Sequence, residues 1–389
     1  MEVYLDHAAT TPLRSEAREA WIEASGAVGN ASSIHGGGQS ARRLLEESRE
    51  RIAAVLQCDA IELLLTSGGT ESINLALKGL WWSRGARGDG VVLPDGEHHA
   101  TLDTVHWLAT HDAARVVPVG VDRDARIDPS AFGAAMEGPG IAFGTALAAN
   151  NETGSLNDCG ALSAAAAGAG VPLHLDAVAA LGHIPVRFAA LRGDAVGAAG
   201  LVALSVSAHK IGGPVGVGGL VVSRSAAVTP LLHGGGQQRA LRAGTQDVAG
   251  AAAFAVAAEL AEAEREAESA RLAGLRDRLV RGILDVVPGA ELLGHPVERL
   301  PGNAHILFPG AAGESLLFLL DREGIAVSTG SACQAGVPEP SHVVIAMGRS
   351  EQDARSVLRF TLGRTSGDAD VDAVVAAMPE AYARASRRA

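Results

Sequence analysis

Lysine is nearly missing from this chain. Among 32 basic residues in 389, only Lys78 and Lys210 are lysine; all others are arginine. A guanidinium stays protonated, whereas an amine can lose its proton and condense with an aldehyde. A lysine kept in such a composition is a candidate for chemistry that arginine cannot perform. Lys78 falls in a helical stretch and reads as a surface charge. Lys210 stands between His209 and the turn Ile211-Gly212-Gly213-Pro214, at the exit of the apolar run 201–206. Cysteine is scarce as well. Cys58, Cys159 and Cys333 are odd in number, widely spaced and without a Cys-x-x-Cys pair. That excludes a disulfide framework and a cysteine-based zinc site. Aromatic residues make up 3% of the chain, so the core has to be aliphatic and alanine-rich. No apolar run reaches the roughly 18 residues that a membrane span needs, so none is expected. The opening MEVYLDHAATTP shows no basic n-region, apolar h-region or cleavage site, so no signal peptide is expected and the cytoplasm is the expected location. Positive charge is in deficit, at a net −12, which argues against nucleic acid or an anionic membrane as the main partner.

What is present is a large apolar fraction, 47%, with 20% charged residues. At roughly 100–200 residues per domain, the length predicts two or three domains. From 62 onward, short apolar runs alternate with helical spacing. Strands are predicted at 62–66, 91–93, 116–121, 141–149, 173–175, 201–206 and 217–222. Helices are predicted at 14–25, 41–56, 71–80, 100–109 and 161–169, with Gly36-Gly37-Gly38 as a flexible point. Such alternation predicts an α/β fold with a mostly parallel sheet covered on both faces. Ligands then bind at the carboxyl ends of the strands, where the Gly- and Asn-containing loops fall. Segment 251–287 predicts one or two long helices, and a smaller α+β unit follows, with strands at 304–308 and 357–361 around a helix at 314–320.

Several residues at these loops carry potential chemistry. Thr66-Ser67-Gly68-Gly69-Thr70-Glu71-Ser72 is a strand-to-helix turn that can hold a phosphate on backbone N–H groups, or simply cap the helix. Asp176 ends a strand and can pair with a protonated ring nitrogen or cap a helix. His98, in Glu97-His98-His99, can stack on a flat ring and move protons; the spacing to His106 and His111 does not support a metal site. Cys333, in the small-residue loop Ser328 to Gly336, suits a nucleophile, with a core thiol as the plain alternative. Arg359, in Val357-Leu358-Arg359-Phe360-Thr361, suits a carboxylate, bound bidentate, or a structural ion pair. Together they amount to the parts that pyridoxal 5'-phosphate (PLP) requires.

These motifs, with Asn150-Asn151-Glu152, His174-Leu175-Asp176, Ser207-Ala208-His209-Lys210, His233-Gly234-Gly235-Gly236, Arg242-Ala243-Gly244-Thr245, Gly330-Ser331-Ala332-Cys333 and Arg359-Phe360-Thr361-Leu362-Gly363-Arg364, resemble the cysteine desulfurases of group I (NifS/IscS-like), in the class V aminotransferase family. The resemblance runs from Tyr4 to Arg364. It implies a fold type I PLP-dependent transferase, with a large PLP-binding domain (15–255) built on a mostly parallel seven-stranded sheet. A smaller α+β domain (1–14 and 256–389) would include the long connecting helix. It implies Lys210 as the Schiff-base lysine, Asp176 at the pyridine nitrogen, and His98 as the stacking, acid–base histidine. Gly69, Thr70, Ser207 and His209 would form the phosphate cup, with Thr245 reaching it from the second subunit of a homodimer. Asn151 would contact cofactor and substrate, Arg359 the carboxylate of L-cysteine, and Cys333 would take the sulfur as a persulfide, leaving L-alanine. No metal is implied. The sequence departs from the family at Ala179, where a glutamine usually donates to the PLP ring oxygen. Its tail ends at Ala389, soon after Arg364, where housekeeping members run longer toward an iron–sulfur scaffold. The sulfur acceptor is therefore expected to be such a scaffold or, given that tail, a tRNA-thiolation or other sulfur-incorporation protein. Selenocysteine lyase, another class V reaction, or a weakly active persulfide-donor subunit are the alternative readings.

Overall fold

The computed structural model describes residues 3–330 and 339–386. In chain order, β1 (Val3–Tyr4) leads to helices α1 (Ser15–Ser25) and α2 (Gly36–Leu56). The alternating region follows: β2 (Leu63–Thr66), α3 (Gly69–Trp82), β3 (Gly90–Pro94), α4 (His99–His111), β4 (Arg115–Val119), α5 (Pro129–Met136), β5 (Ile141–Leu147), α6 (Cys159–Gly168), β6 (Pro172–Asp176), α7 (Phe188–Arg192), β7 (Gly200–Ser207) and β8 (Gly218–Val222). Helix α8 (Val248–Val286) connects to β9 (Glu291–Leu293), β10 (Asn303–Leu307), α9 (Gly313–Arg322), β11 (Ile325–Ala326), α10 (His342–Ala346), α11 (Glu351–Ala354), β12 (Val357–Thr361) and α12 (Asp368–Ala385).

The large sheet has the order β2-β8-β7-β6-β5-β3-β4. All its neighbours are parallel except β8, which runs antiparallel to both β2 and β7. Strands β3, β5, β6 and β7 are buried along their whole length, as expected for a parallel sheet covered on both faces. The polar side chains at their centre satisfy one another: His174 bridges Thr145 Oγ1 and Ser205 Oγ, each at 2.9 Å, and ties β5, β6 and β7 together. The sheet edge at β2 is closed by side chains. Arg49 donates to the Leu63 carbonyl, and the Gln238 carboxamide accepts from the Leu65 N–H at 2.7 Å and donates to the Leu65 carbonyl at 2.8 Å. A side-chain amide thus replaces a neighbouring strand, which removes the pairing hazard of an open edge.

Two differences from the sequence reading have clear causes. Gly36-Gly37-Gly38 is not a flexible point but the first turn of α2, capped by His35, whose Nδ1 accepts from the Gly38 N–H. Small residues are needed there because the loop before the helix lies against it: a Cβ on Gly37 would stand 2.8 Å from the Val28 carbonyl. Helix α12 was not legible because alanine and charged residues blur its apolar stripe.

Helix α8 is a single helix of 39 residues, roughly 58 Å long at 1.5 Å per residue. Asp247 starts it by accepting from the Gly250 N–H at 2.8 Å. Its first half (Ala251, Phe254, Ala258) packs into the core beneath the large sheet. Its second half (Leu272, Leu279, Ile283) packs with β10, β12 and α12 in a second core. No described helix is long and apolar enough to cross a membrane. Leu279 is fully buried in the second core, so Leu279→Ala is expected to cost about 2–5 kcal/mol. A urea titration followed by circular dichroism reads this as a lowered midpoint; an unmoved midpoint would remove α8 from that core.

Candidate active site

The parallel strands deliver their following residues to one side of the sheet. A cavity of about 450 Å³ lies there, lined by Gly69, Thr70, His98, Asn151, Asp176, His209, Lys210 and Arg359 among others. Each arrives by its own local device. Gly68, at φ +146°, turns the chain from β2 into α3, and a Cβ on Gly69 would lie 2.6 Å from Val178 Cγ2. His98 caps α4 by accepting the Ala100 N–H on Nδ1 at 3.0 Å. Asn150 folds the loop after β5 by accepting from the N–H groups of Glu152 and Thr153, and so presents Asn151 to the cavity. Asp176 ends β6, with Oδ1 accepting from the Val178 N–H at 2.9 Å. It stabilises its own turn and still faces the cavity. Arg359 comes from the smaller sheet, on β12.

The two cations are held mostly by groups that the sequence reading did not single out. Lys210 Nζ donates to the carbonyls of Ala8 and Ala9, the latter at 2.9 Å. Arg359 Nη2 donates to Asp6 Oδ1 at 3.0 Å, and Nη1 to the Asn151 carbonyl at 2.8 Å. Tyr4 shapes this N-terminal turn by donating to the carbonyls of Asp6 and Thr10. Backbone acceptors carry no side-chain signal, so no sequence motif could have revealed the Lys210 anchor.

Burial sets the charge states. It lowers the Lys210 ammonium to about 8, with Arg359 pushing the same way and Asp6 and Asp176 opposing. It raises Asp176 to about 6, against the Val178 N–H and Lys210. The fully buried Glu97 is pushed well above the carboxylate range by burial and by the Asp176 charge. Glu97 Oε1 accepts from the Leu147 N–H at 2.8 Å, and Leu147 is the ladder partner of Asp176. Burial thus favours the neutral form of both neighbouring carboxyl groups, and the Asp176 charge adds to the shift of Glu97. His98 and His209 are each lowered to about 4, chiefly by burial and then by Lys210, and are neutral. With Nδ1 of His98 accepting, its proton sits on Nε2.

Two expected site residues lie apart from this group. Ser207 is fully buried at the end of β7 and does not line the cavity; its hydroxyl has no hydrogen-bond partner among the described residues. Thr245 is exposed and lines a separate cavity of about 110 Å³ with Thr66, Ser67 and Arg242. That segment is tied to the first turn of α3 by Arg242, whose Nε donates to Glu71 Oε1 at 2.9 Å. Cys333 lies outside the described residues. Ala179 lines the main cavity.

The lowered lysine gives a test with a defined sign. In cofactor-free protein, acylation of Lys210 is expected to rise with pH around a midpoint near 8, read by peptide mass spectrometry. Arg359→Gln removes a repelling charge and should move the midpoint up. Asp176→Asn removes an attracting one and should move it down. A wild-type midpoint at the ordinary lysine value near 10.5 would contradict this account.

The aminotransferase class-V family profile matches residues 3–374. An IscS-like cysteine desulfurase of Mycobacterium tuberculosis is 47% identical over 99% of this chain and 98% of its own length. A solved NifS-like protein superposes with a TM-score of 0.89 at 30% identity, covering 99% of this chain and 100% of the other. A solved SspA in complex with cysteine superposes with a TM-score of 0.80 at 26% identity, covering 93% and 99%. By sequence and by fold, the chain belongs to the class-V aminotransferase family, in its branch of NifS/IscS-type cysteine desulfurases.

Proposed function

We propose that this chain is a PLP-dependent cysteine desulfurase that converts L-cysteine to L-alanine and takes the sulfur as a persulfide on Cys333. The observation that carries the reading is the meeting of Lys210, Asp176 and Arg359 in one cavity at the strand ends, with charge states suited to an aldehyde, a ring nitrogen and a carboxylate. The residues suit PLP on their own chemistry. The Ser207 hydroxyl is buried and lacks a partner, the N-terminus of α3 offers backbone N–H groups, and Gly69 lies too close to Val178 to carry a side chain. Gly69, Thr70, Ser207 and His209 would hold the phosphate, and Asp176 the ring nitrogen. Bound there, PLP would supply the electron sink that lets the substrate Cα–H bond break.

The chain's own groups divide the remaining work. Lys210, lowered to about 8, is far closer to its free amine near neutral pH than an ordinary lysine and can take and return a proton. Asp176 is ionised above about 6 and pairs with a positive ring nitrogen. Neutral His98 presents its Nε2–H from one wall, and Asn151 faces both cofactor and substrate. Arg359 receives the substrate carboxylate. The Cys333 sulfur forms a bond to the substrate sulfur as the Cβ–S bond breaks; the carbon keeps the electron pair and gains a proton. The net change is one thiol and L-cysteine to one persulfide and L-alanine. A methyl group at Ala179 cannot donate to the ring oxygen, which tunes Lys210 differently from relatives with a glutamine there. The exposed Thr245, beside the α3 turn, fits a homodimer in which it reaches the partner's phosphate site. The persulfide then passes to a protein acceptor, an iron–sulfur scaffold or a thiolation enzyme. A cytoplasmic setting keeps the thiols reduced for that transfer.

Lys210→Ala is expected to lose both the visible absorbance of the holoenzyme and all formation of alanine from L-cysteine; normal turnover in that variant would refute the reading. Cys333→Ser should still bind PLP and L-cysteine but release no sulfide under a reductant. Undiminished sulfide release would take Cys333 out of the reaction.

A further inference from the structure

Transfer of the substrate sulfur moves one proton that the groups assigned so far leave without a carrier. The thiol proton of L-cysteine has to leave sulfur, and the carbon that loses sulfur has to gain one. Lys210 serves the Cα proton, and Asp176 the ring nitrogen. Arg359, as a guanidinium, has only donors. His98 and His209 are each lowered to about 4, so both accept protons poorly near neutral pH. A free thiol titrates at about 8.5 and calls for a better acceptor.

His342 meets that requirement. It opens α10 and lines the main cavity with His98 and His99. Its Nε2 lies 2.9 Å from the Glu97 carbonyl, which can only accept, so the neutral ring carries its proton on Nε2. Nδ1 is then the atom with the free lone pair, and it has no hydrogen-bond partner among the described residues. The side chain is 27% exposed, within reach of a ligand in the cavity. Its surroundings favour a proton on Nδ1. Glu152 Oε1 stands 3.9 Å away, too far for a hydrogen bond but near enough to stabilise an imidazolium. That carboxylate is buried and held in place: Oε2 accepts from Ser341 Oγ, and the Glu152 N–H donates to Asn150 Oδ1 at 2.9 Å. His99 packs edge-on against the His342 ring, with centroids 4.8 Å apart, and fixes its plane. Gly330 and Ser341 flank the segment that carries Cys333, and both lie against Glu152. Ser341 does so through its hydroxyl, and a Cβ on Gly330 would stand 3.3 Å from Oε2. Glu152 and His342 thus stand where that segment leaves and rejoins the cavity wall.

We propose that His342 is a catalytic residue of the sulfur-transfer step: Nδ1 takes the proton of the substrate thiol and returns it to the carbon that loses the sulfur, while Glu152 stabilises the charged ring. This rests on the desulfurase reading and names the group that handles its second proton. As the Cys333 thiolate bonds to the substrate sulfur, the Cβ–S bond breaks and leaves its electron pair on carbon. The proton of that sulfur passes to Nδ1 and then to Cβ, which becomes the methyl group of L-alanine. One thiolate is consumed, one perthiolate is formed, and His342 ends as it began.

The test compares wild-type holoenzyme with His342→Gln and His342→Ala. Glutamine can still donate to the Glu97 carbonyl, so it keeps the anchor of α10 and removes only the base. Two rates are read at full PLP content and saturating ligand. One is alanine formed from L-cysteine in a single turnover. The other is exchange of the L-alanine Cα–H for deuterium in D2O, followed by NMR, which uses Lys210 and PLP but involves no thiol. Loss of a general base should slow the first rate in His342→Gln about a hundredfold and leave the second within about threefold of wild type. A first rate within about threefold of wild type would overturn the proposal. A parallel loss of both rates would also overturn it, because that pattern marks a structural role. Where the glutamine variant does not fold, His342→Ala decides: recovery of alanine formation on adding imidazole supports the proposal, and its absence overturns it. If wild-type holoenzyme exchanges L-alanine but forms none from L-cysteine, the desulfurase reading itself fails and the step assigned to His342 falls with it.

Discussion

Two cations in one cavity, the half-buried Lys210 and the buried Arg359, set the terms for the rest of this structure. Removing a charge from water is costly unless partners replace the lost hydration. The partners come from three distant stretches: the turn at 6–9, the loop at 150–151 and the end of β6. The balance is partial by design of the chemistry. Enough compensation keeps both groups in place, while the mutual repulsion and burial that remain leave the amine near the point of losing its proton. A better-paired lysine would be more stable and less reactive. The same economy governs the carboxyl groups: burial and the Asp176 charge push Glu97 upward, while the Val178 N–H and Lys210 hold Asp176 down.

Much of the fold was legible because buried parallel strands leave simple traces: continuous apolar runs, separated by helical spacing and closed by glycine-rich turns. The seven strands of the large sheet were each foreseen from such runs, except that their ends shift by a residue or two. The side-chain chemistry of the site was legible for the same reason, since a functional residue directly after an apolar run sits at a strand end. What escaped detection depends on contacts between distant stretches. Asp6 could be read as part of a turn but not as the partner of a residue near the other end of the chain. His342 looks like an ordinary helix residue; only the fold brings its ring to Glu152 and the Glu97 carbonyl. The glycine triplet at 36–38 misled because composition reports freedom, whereas packing against Val28 and Ser33 uses the same residues for closeness.

The large sheet also shows how polar side chains can do structural work usually left to backbone. Gln238 and Arg49 complete the exposed edge of β2, and His174 links three central strands through two hydroxyls. Gln238 achieves this from a turn in which it, Arg239 and Ala240 all adopt positive φ, a conformation that ordinary residues hold only where surrounding contacts fix it. The edge seal and the strained turn therefore stabilise each other.

The anchor of Lys210 on the Ala8 and Ala9 carbonyls has a consequence for inheritance. An acceptor that belongs to the peptide backbone is present whatever amino acid a codon specifies, so missense changes at 8 and 9 leave the acceptors in place. Genetic variation can displace them only by altering the path of the chain, through an insertion, a deletion or a residue that refolds the turn. The anchor of Lys210 is thus among the contacts least exposed to single-base change, and drift at those two codons is constrained by the path of the chain.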